Sequence, residues 1–170
     1  MLKRIETITL AFCIALFPPI WAILAPYINI STGAVALICA GVYVANGNKS
    51  SDAIKISLGF LLGDLWAVIA LKLMGLINIQ ENIETFIILA VLGALAVVIS
   101  AKVPKYIFCP AWLCGWAIGL TVMAPMGIEA IGTYPLQIAI SMLVGVWYVG
   151  YFLNIVQNIL MNIALKKQKN

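Results

Sequence analysis

Long uninterrupted apolar runs, separated by short clusters of charged and polar residues, divide the chain. The stretch from Phe86 to Ala101 holds no charged side chain. A membrane barrel would instead show short segments alternating apolar with polar residues. Lipid lets only helices and closed barrels span it, so continuous runs predict helices. A crossing takes about 20 residues, with about 17 to 25 tolerated. Placing spans between the charges predicts six: Thr7–Tyr27, Ser31–Ala45, Ile54–Met74, Ile83–Ala101, Tyr106–Met123 and Tyr134–Leu160. The second is short, and the sixth is long enough to tilt or to extend past the membrane surface. Met1-Leu-Lys-Arg before an apolar run has the look of a signal peptide. That run continues to Ile28 and more spans follow, which predicts an uncleaved first helix.

Composition agrees with this pattern. Hydrophobic residues make up 64% of the 170 and charged residues only 9%. A soluble domain carries about 25% charged residues, so this chain could not cover a water-facing surface of its own size. The predicted fold class is all-α, a polytopic membrane protein of six transmembrane helices forming a single domain over residues 1–170.

Charge placement then orients the bundle, because Lys and Arg collect in cytoplasmic loops. With the N-terminus inside, the inner segments hold Lys3, Arg4, Lys49, Lys55, Lys102, Lys105, Lys166, Lys167 and Lys169. The outer segments hold only Lys72, beside Glu81, Glu84 and Glu129. An odd number of spans would put basic loops on both sides. Both termini are therefore expected in the cytoplasm. The net charge of +4 follows from this bias and calls for no nucleic-acid partner.

The two halves of the chain, 1–78 and 79–170, resemble each other weakly. Ser57 to Val68 aligns without gaps on Ala139 to Gly150, setting Gly59 on Ser141, Gly63 on Gly145 and Trp66 on Tyr148. Thr32 to Val44 aligns on Pro110 to Val122, setting Gly41 on Gly119. Three spans per half would invert the second half relative to the first. Inverted repeats recur in transporters, with the site near the midplane where the halves meet.

Asp64 is the one acidic residue deep inside a predicted span. An ionised side chain at the bilayer centre costs about 2.5 to 3.5 kcal/mol on insertion scales, so it is held inside the bundle or against water. It is either a carboxylate lining a solute or proton path, or a hydrogen-bonded residue that fixes packing. Trp66, two residues on, and Trp116 could wall a small-solute pocket. With Asn46, these residues form the candidate lining of a path: Asp64, Trp66, Asn46 and Trp116. Pro18, Pro19 and Pro26 predict a kinked first helix whose freed carbonyls need protein or water. Glycines 33, 41, 59, 63, 115, 119, 145 and 150 form small-residue faces that let helices approach closely, within the bundle or in a homo-oligomer.

Catalytic chemistry finds little footing. The chain has no histidine, the usual general base, and its four cysteines, Cys13, Cys39, Cys109 and Cys114, have no zinc spacing. Neither a P-loop nor a dinucleotide-binding glycine pattern occurs. The expectation is no enzyme, no catalytic residue, no metal and no cofactor.

Three segments resemble a known family. The Gly/Ala-rich second span ends in Asn46-Gly47-Asn48, and the third holds Leu62-Gly63-Asp64-Leu65-Trp66-Ala67. Phe108-Cys109-Pro110-Ala111-Trp112-Leu113-Cys114-Gly115 is similar to an aromatic-x-Pro-Gly-x-aromatic-x-Gly motif. Together they resemble the bacterial inner-membrane proteins of domain of unknown function family 1097. Ala111 stands in place of the expected glycine, and Asp64 in place of a small residue. The resemblance implies a six-span protein of the bacterial cytoplasmic membrane.

Small size, scarce charge, candidate inverted halves and no ATP-binding motif point to a channel or facilitator for a small polar solute, neutral or weakly cationic, working as a homo-oligomer in the lipid bilayer. Two other readings stay open. One is a substrate-binding membrane subunit of a larger transporter, like the vitamin-binding components of energy-coupling factor systems, for which Ala11-x-x-x-Ala15 is a candidate docking motif. The other is a non-transporting scaffold.

Overall fold

The computed structural model describes residues 2–74, 76 and 79–167. Lys169 and residue 78, the end of the first candidate half, lie outside the described residues. Seven α-helices follow one another: α1 (Leu2–Leu24), α2 (Val35–Ala45), α3 (Ala53–Leu73), α4 (Glu81–Lys102), α5 (Cys109–Met123), α6 (Tyr134–Val144) and α7 (Leu153–Lys167). An eight-residue π-helical segment, Gly145–Phe152, joins α6 to α7 without a break. Among the described residues there is no strand. Five helical stretches are long and apolar enough to cross a membrane, with α2 as a shorter apolar helix. This is a helical membrane bundle.

Sequence and structure differ mainly at helix ends. The first helix starts at Leu2 and takes in Lys3, Arg4 and Glu6, because a helix can continue into water where its apolar run has stopped. It passes through Pro18 and Pro19 and then tightens into a 3-10 turn, Ala25–Ile28. Helix α2 starts only at Val35, four residues later than the apolar pattern predicts. Its C-terminus is sharp. Gly47 takes φ +83°, its N–H bonds the Val44 carbonyl at 2.9 Å, and the Asn48 N–H reaches the Tyr43 carbonyl at 3.3 Å. This is a Schellman cap, which glycine makes cheap.

Packing centres on α3 against α5, the most extensive helix pair. Glycines make this approach possible. A Cβ on Gly59 would lie 2.7 Å from the Phe108 carbonyl oxygen, and one on Gly115 would lie 2.6 Å from that of Phe60. Helix α2 packs on the π segment by the same means: a Cβ on Gly145 would sit 2.7 Å from Cys39 Cβ, and one on Gly150 would sit 2.8 Å from the Tyr43 ring. In a π-helix the hydrogen bonds run i to i+5, so residues five apart share a face. That geometry turns both glycines toward α2. The Thr32 and Ser141 hydroxyls, 3.2 Å apart, add a buried hydrogen bond between the segment before α2 and α6.

The outer helices are less enclosed. Helix α4 buries one narrow stripe, Glu84, Ile88, Leu92, Ala96 and Ser100, spaced by four. Helix α1 lies at the periphery against α7 and the π segment, with Phe17 edge-on to Tyr148 at 5.6 Å.

Candidate functional site

Asp64 occupies the middle of α3 and is 5% exposed. The helix turns it toward α5, where a Cβ on Gly119 would lie 3.4 Å from its Oδ1. That oxygen has no hydrogen-bond partner among the described residues. Leaving a buried polar group unpaired costs about 1–3 kcal/mol, and more for a charged one.

Two further unpaired groups belong to the same helix packing. Trp112 and Trp116, one turn apart on α5, are 2% and 9% exposed, and neither indole N–H has a partner among the described residues. Their backbone presses on Gly63, the neighbour of Asp64. Trp66 closes the layer toward α4. Its indole N–H donates to the Leu92 carbonyl at 3.0 Å, and its ring meets Trp112 edge-on with centroids 5.2 Å apart. The Trp116 ring lies against Gly93 of α4, where an added Cβ would stand 3.5 Å away at ordinary contact distance. One acceptor and two donors, all buried and unpaired, thus lie in the packing of α3, α4 and α5.

Of the four residues expected to line a path, Asp64, Trp66 and Trp116 lie in the packing of α3, α4 and α5, with Asp64 facing Gly119 and Trp66 facing Leu92. Asn46 does not. It caps α2, and its amide donates to Asp52 Oδ2 at 2.7 Å while Lys55 pairs with Asp52 Oδ1 at 3.0 Å. The Asn46 amide first, and then Lys55, hold the Asp52 carboxyl below its usual range. Trp112 is the residue that sequence reasoning left out of the site. Its spacing of four from Trp116 puts both rings on one side of α5, and that signal was available.

Two clefts lie elsewhere, where α1 ends and α2 and α6 begin. One, of about 560 Å³, is lined by Asn29, Ser31 and Gln137 among others. The second, of about 430 Å³, follows α1 past Pro18 and Pro19 and is lined by apolar side chains. Neither includes Asp64. Among the described residues no group of three or more Cys, Asp or Glu side chains could hold a metal ion.

No curated protein and no solved structure matches the chain. A family model does match, over residues 11–157, and the chain belongs to that family, the proteins of unknown function DUF1097.

Proposed function

We propose that this DUF1097 member is an integral membrane facilitator for a small polar solute, neutral or weakly cationic, handled at an occluded site beside Asp64. The observation that carries the reading is the unpaired Asp64 Oδ1, buried in the middle of α3 in the same helix packing that leaves the Trp112 and Trp116 indoles unpaired. A lone buried carboxylate suits a solute that donates hydrogen bonds, and it disfavours an anion. Neither of the two clefts includes Asp64, and in this reading the solute reaches it by α3 and α5 parting, as in a carrier.

The architecture belongs to the same reading. Six spans with both termini in the cytoplasm put nine of the ten basic residues inside, in the cytoplasmic membrane of a bacterium. Inverted halves are supported by paired contacts. Gly63 presses on α5 as Gly145 presses on α2, and Gly59 meets the start of α5 where Ser141 meets Thr32 before α2. Exchanging α3 with α6 and its π extension, and α5 with α2, carries one set of contacts onto the other. A homo-oligomer belongs to the same reading.

The test is solute entry into proteoliposomes, with urea, glycerol and methylammonium as probes. Wild-type protein is expected to raise permeability to at least one probe over protein-free vesicles, and Asp64→Asn to reduce it. Absence of flux for all three would count against the facilitator. The scaffold reading is favoured by one observation, the closure of Gly119 over Asp64. It predicts no flux, together with loss of stability in Asp64→Asn.

A further inference from the structure

Separately from the site beside Asp64, we propose that the two clefts along α1 form one binding site for a single zwitterionic glycerophospholipid. Ala22, Gly33 and Ala34 line both clefts, so the two adjoin. Polarity changes sharply along their length. The end near the start of α2 offers the Asn29 amide, the Ser31 hydroxyl and Gln137, whose Oε1 accepts from the Ser31 N–H at 2.9 Å and from its hydroxyl at 3.0 Å. The other end is walled by Ile14, Pro18, Leu37 and Val149. A polar head joined to an apolar tail matches that profile.

Length decides what kind of amphiphile fits. From Ala25, just past the end of α1 at the polar end, to Ile14 at the apolar end is a step of 11 residues. At 1.5 Å per residue this is about 16 Å. One leaflet of hydrocarbon is about 15 Å deep, half of a core of about 30 Å. The groove therefore runs from interface to midplane, as an acyl chain does, and stops where a spanning partner helix would continue. Trp21 fixes its floor by donating its indole N–H to the Gly33 carbonyl at 2.9 Å. No charged side chain lines the polar end. An anionic head would find no cation there, whereas a zwitterionic head finds amide and hydroxyl partners for both of its charges.

Native mass spectrometry of the full chain tests the proposal, with phosphatidylethanolamine and phosphatidylglycerol supplied in equal amounts. The wild type is expected to keep one phosphatidylethanolamine after other lipids are stripped. Ala22→Phe and Ala34→Phe each fill the junction of the clefts from an exposed position and should bind that lipid about tenfold more weakly. Ala94→Phe, exposed on α4 away from both clefts, should bind as the wild type does. The proposal is overturned if no lipid is retained, if phosphatidylglycerol is retained instead, if a second chain takes the place of lipid, or if all three variants bind alike. Solute flux plays no part in this readout, so its outcome is independent of the facilitator reading.

Discussion

Replacing Gly63 with alanine probes the contact on which the bundle is built. The new methyl would stand 2.5 Å from the Trp116 nitrogen and 2.8 Å from the Gly115 carbonyl carbon. Comfortable separations between non-bonded carbons are about 3.5–4.0 Å, so α3 and α5 must move apart by roughly 1 Å. A gap of that size forfeits about a quarter to a half of each attraction along the interface. Overpacking costs about 1–3 kcal/mol, and the upper end applies because the obstacles are backbone atoms that cannot rotate away. Alanine returns about 0.8–1.0 kcal/mol of helix propensity over glycine. The net expectation is a loss of about 2 kcal/mol. Gly41→Ala makes the same chemical change with nothing within 4 Å of the new methyl, and should be neutral or stabilise by up to about 1 kcal/mol. Equilibrium unfolding in mixed micelles should separate the two variants by about 2–3 kcal/mol. Equal stability of the pair would refute the close α3–α5 approach.

Other outcomes are equally specific. Asn46→Ala should raise the Asp52 pKa toward the ordinary carboxylate value, read by carbon NMR titration, because the Asn46 amide is the first cause of its depression. A depressed carboxyl adds stability above its ordinary pKa and loses it as pH falls through the lower folded value, so the variant should flatten the acid side of the stability profile. Trp66→Phe removes the bond to Leu92 but keeps an aromatic ring against Trp112, and should cost about 0.5–1.5 kcal/mol in the same unfolding assay. An impermeant thiol reagent outside intact cells should label a cysteine placed at Glu129 and leave one at Lys49 or Lys105 untouched. Labelling of all three would overturn the orientation.

The helices were legible because charge is so scarce that each cluster marks a span end. Their exact limits were not, since hydropathy reports where lipid stops and not where backbone hydrogen bonding stops, as Lys3 and Arg4 within α1 show. Asp64 stood out for the cost of its charge in lipid, but its meeting with Gly119 depends on how α3 and α5 rotate against each other. Asn46 stands apart from Asp64 for a local reason. A polar residue at a span end is suited to a path, yet here its amide is committed to Asp52 in its own loop. Gly145 and Gly150 read as ordinary small residues. Their spacing of five fits no single face of an α-helix and becomes one only in the π segment that contains both.

The pairing of Asp64 with α5 also sets an order of events during synthesis. Helix α3 holds eleven Leu, Ile, Val and Phe residues, together worth roughly 3–7 kcal/mol toward insertion, enough to carry one central carboxylate into the bilayer. Its cover, Gly119, lies 55 residues further along the chain. At about 5–20 residues per second the ribosome takes roughly 3–11 s to supply it. Through that interval α3 sits in the membrane with its carboxylate uncovered, and α4 enters before the helix that will seal it.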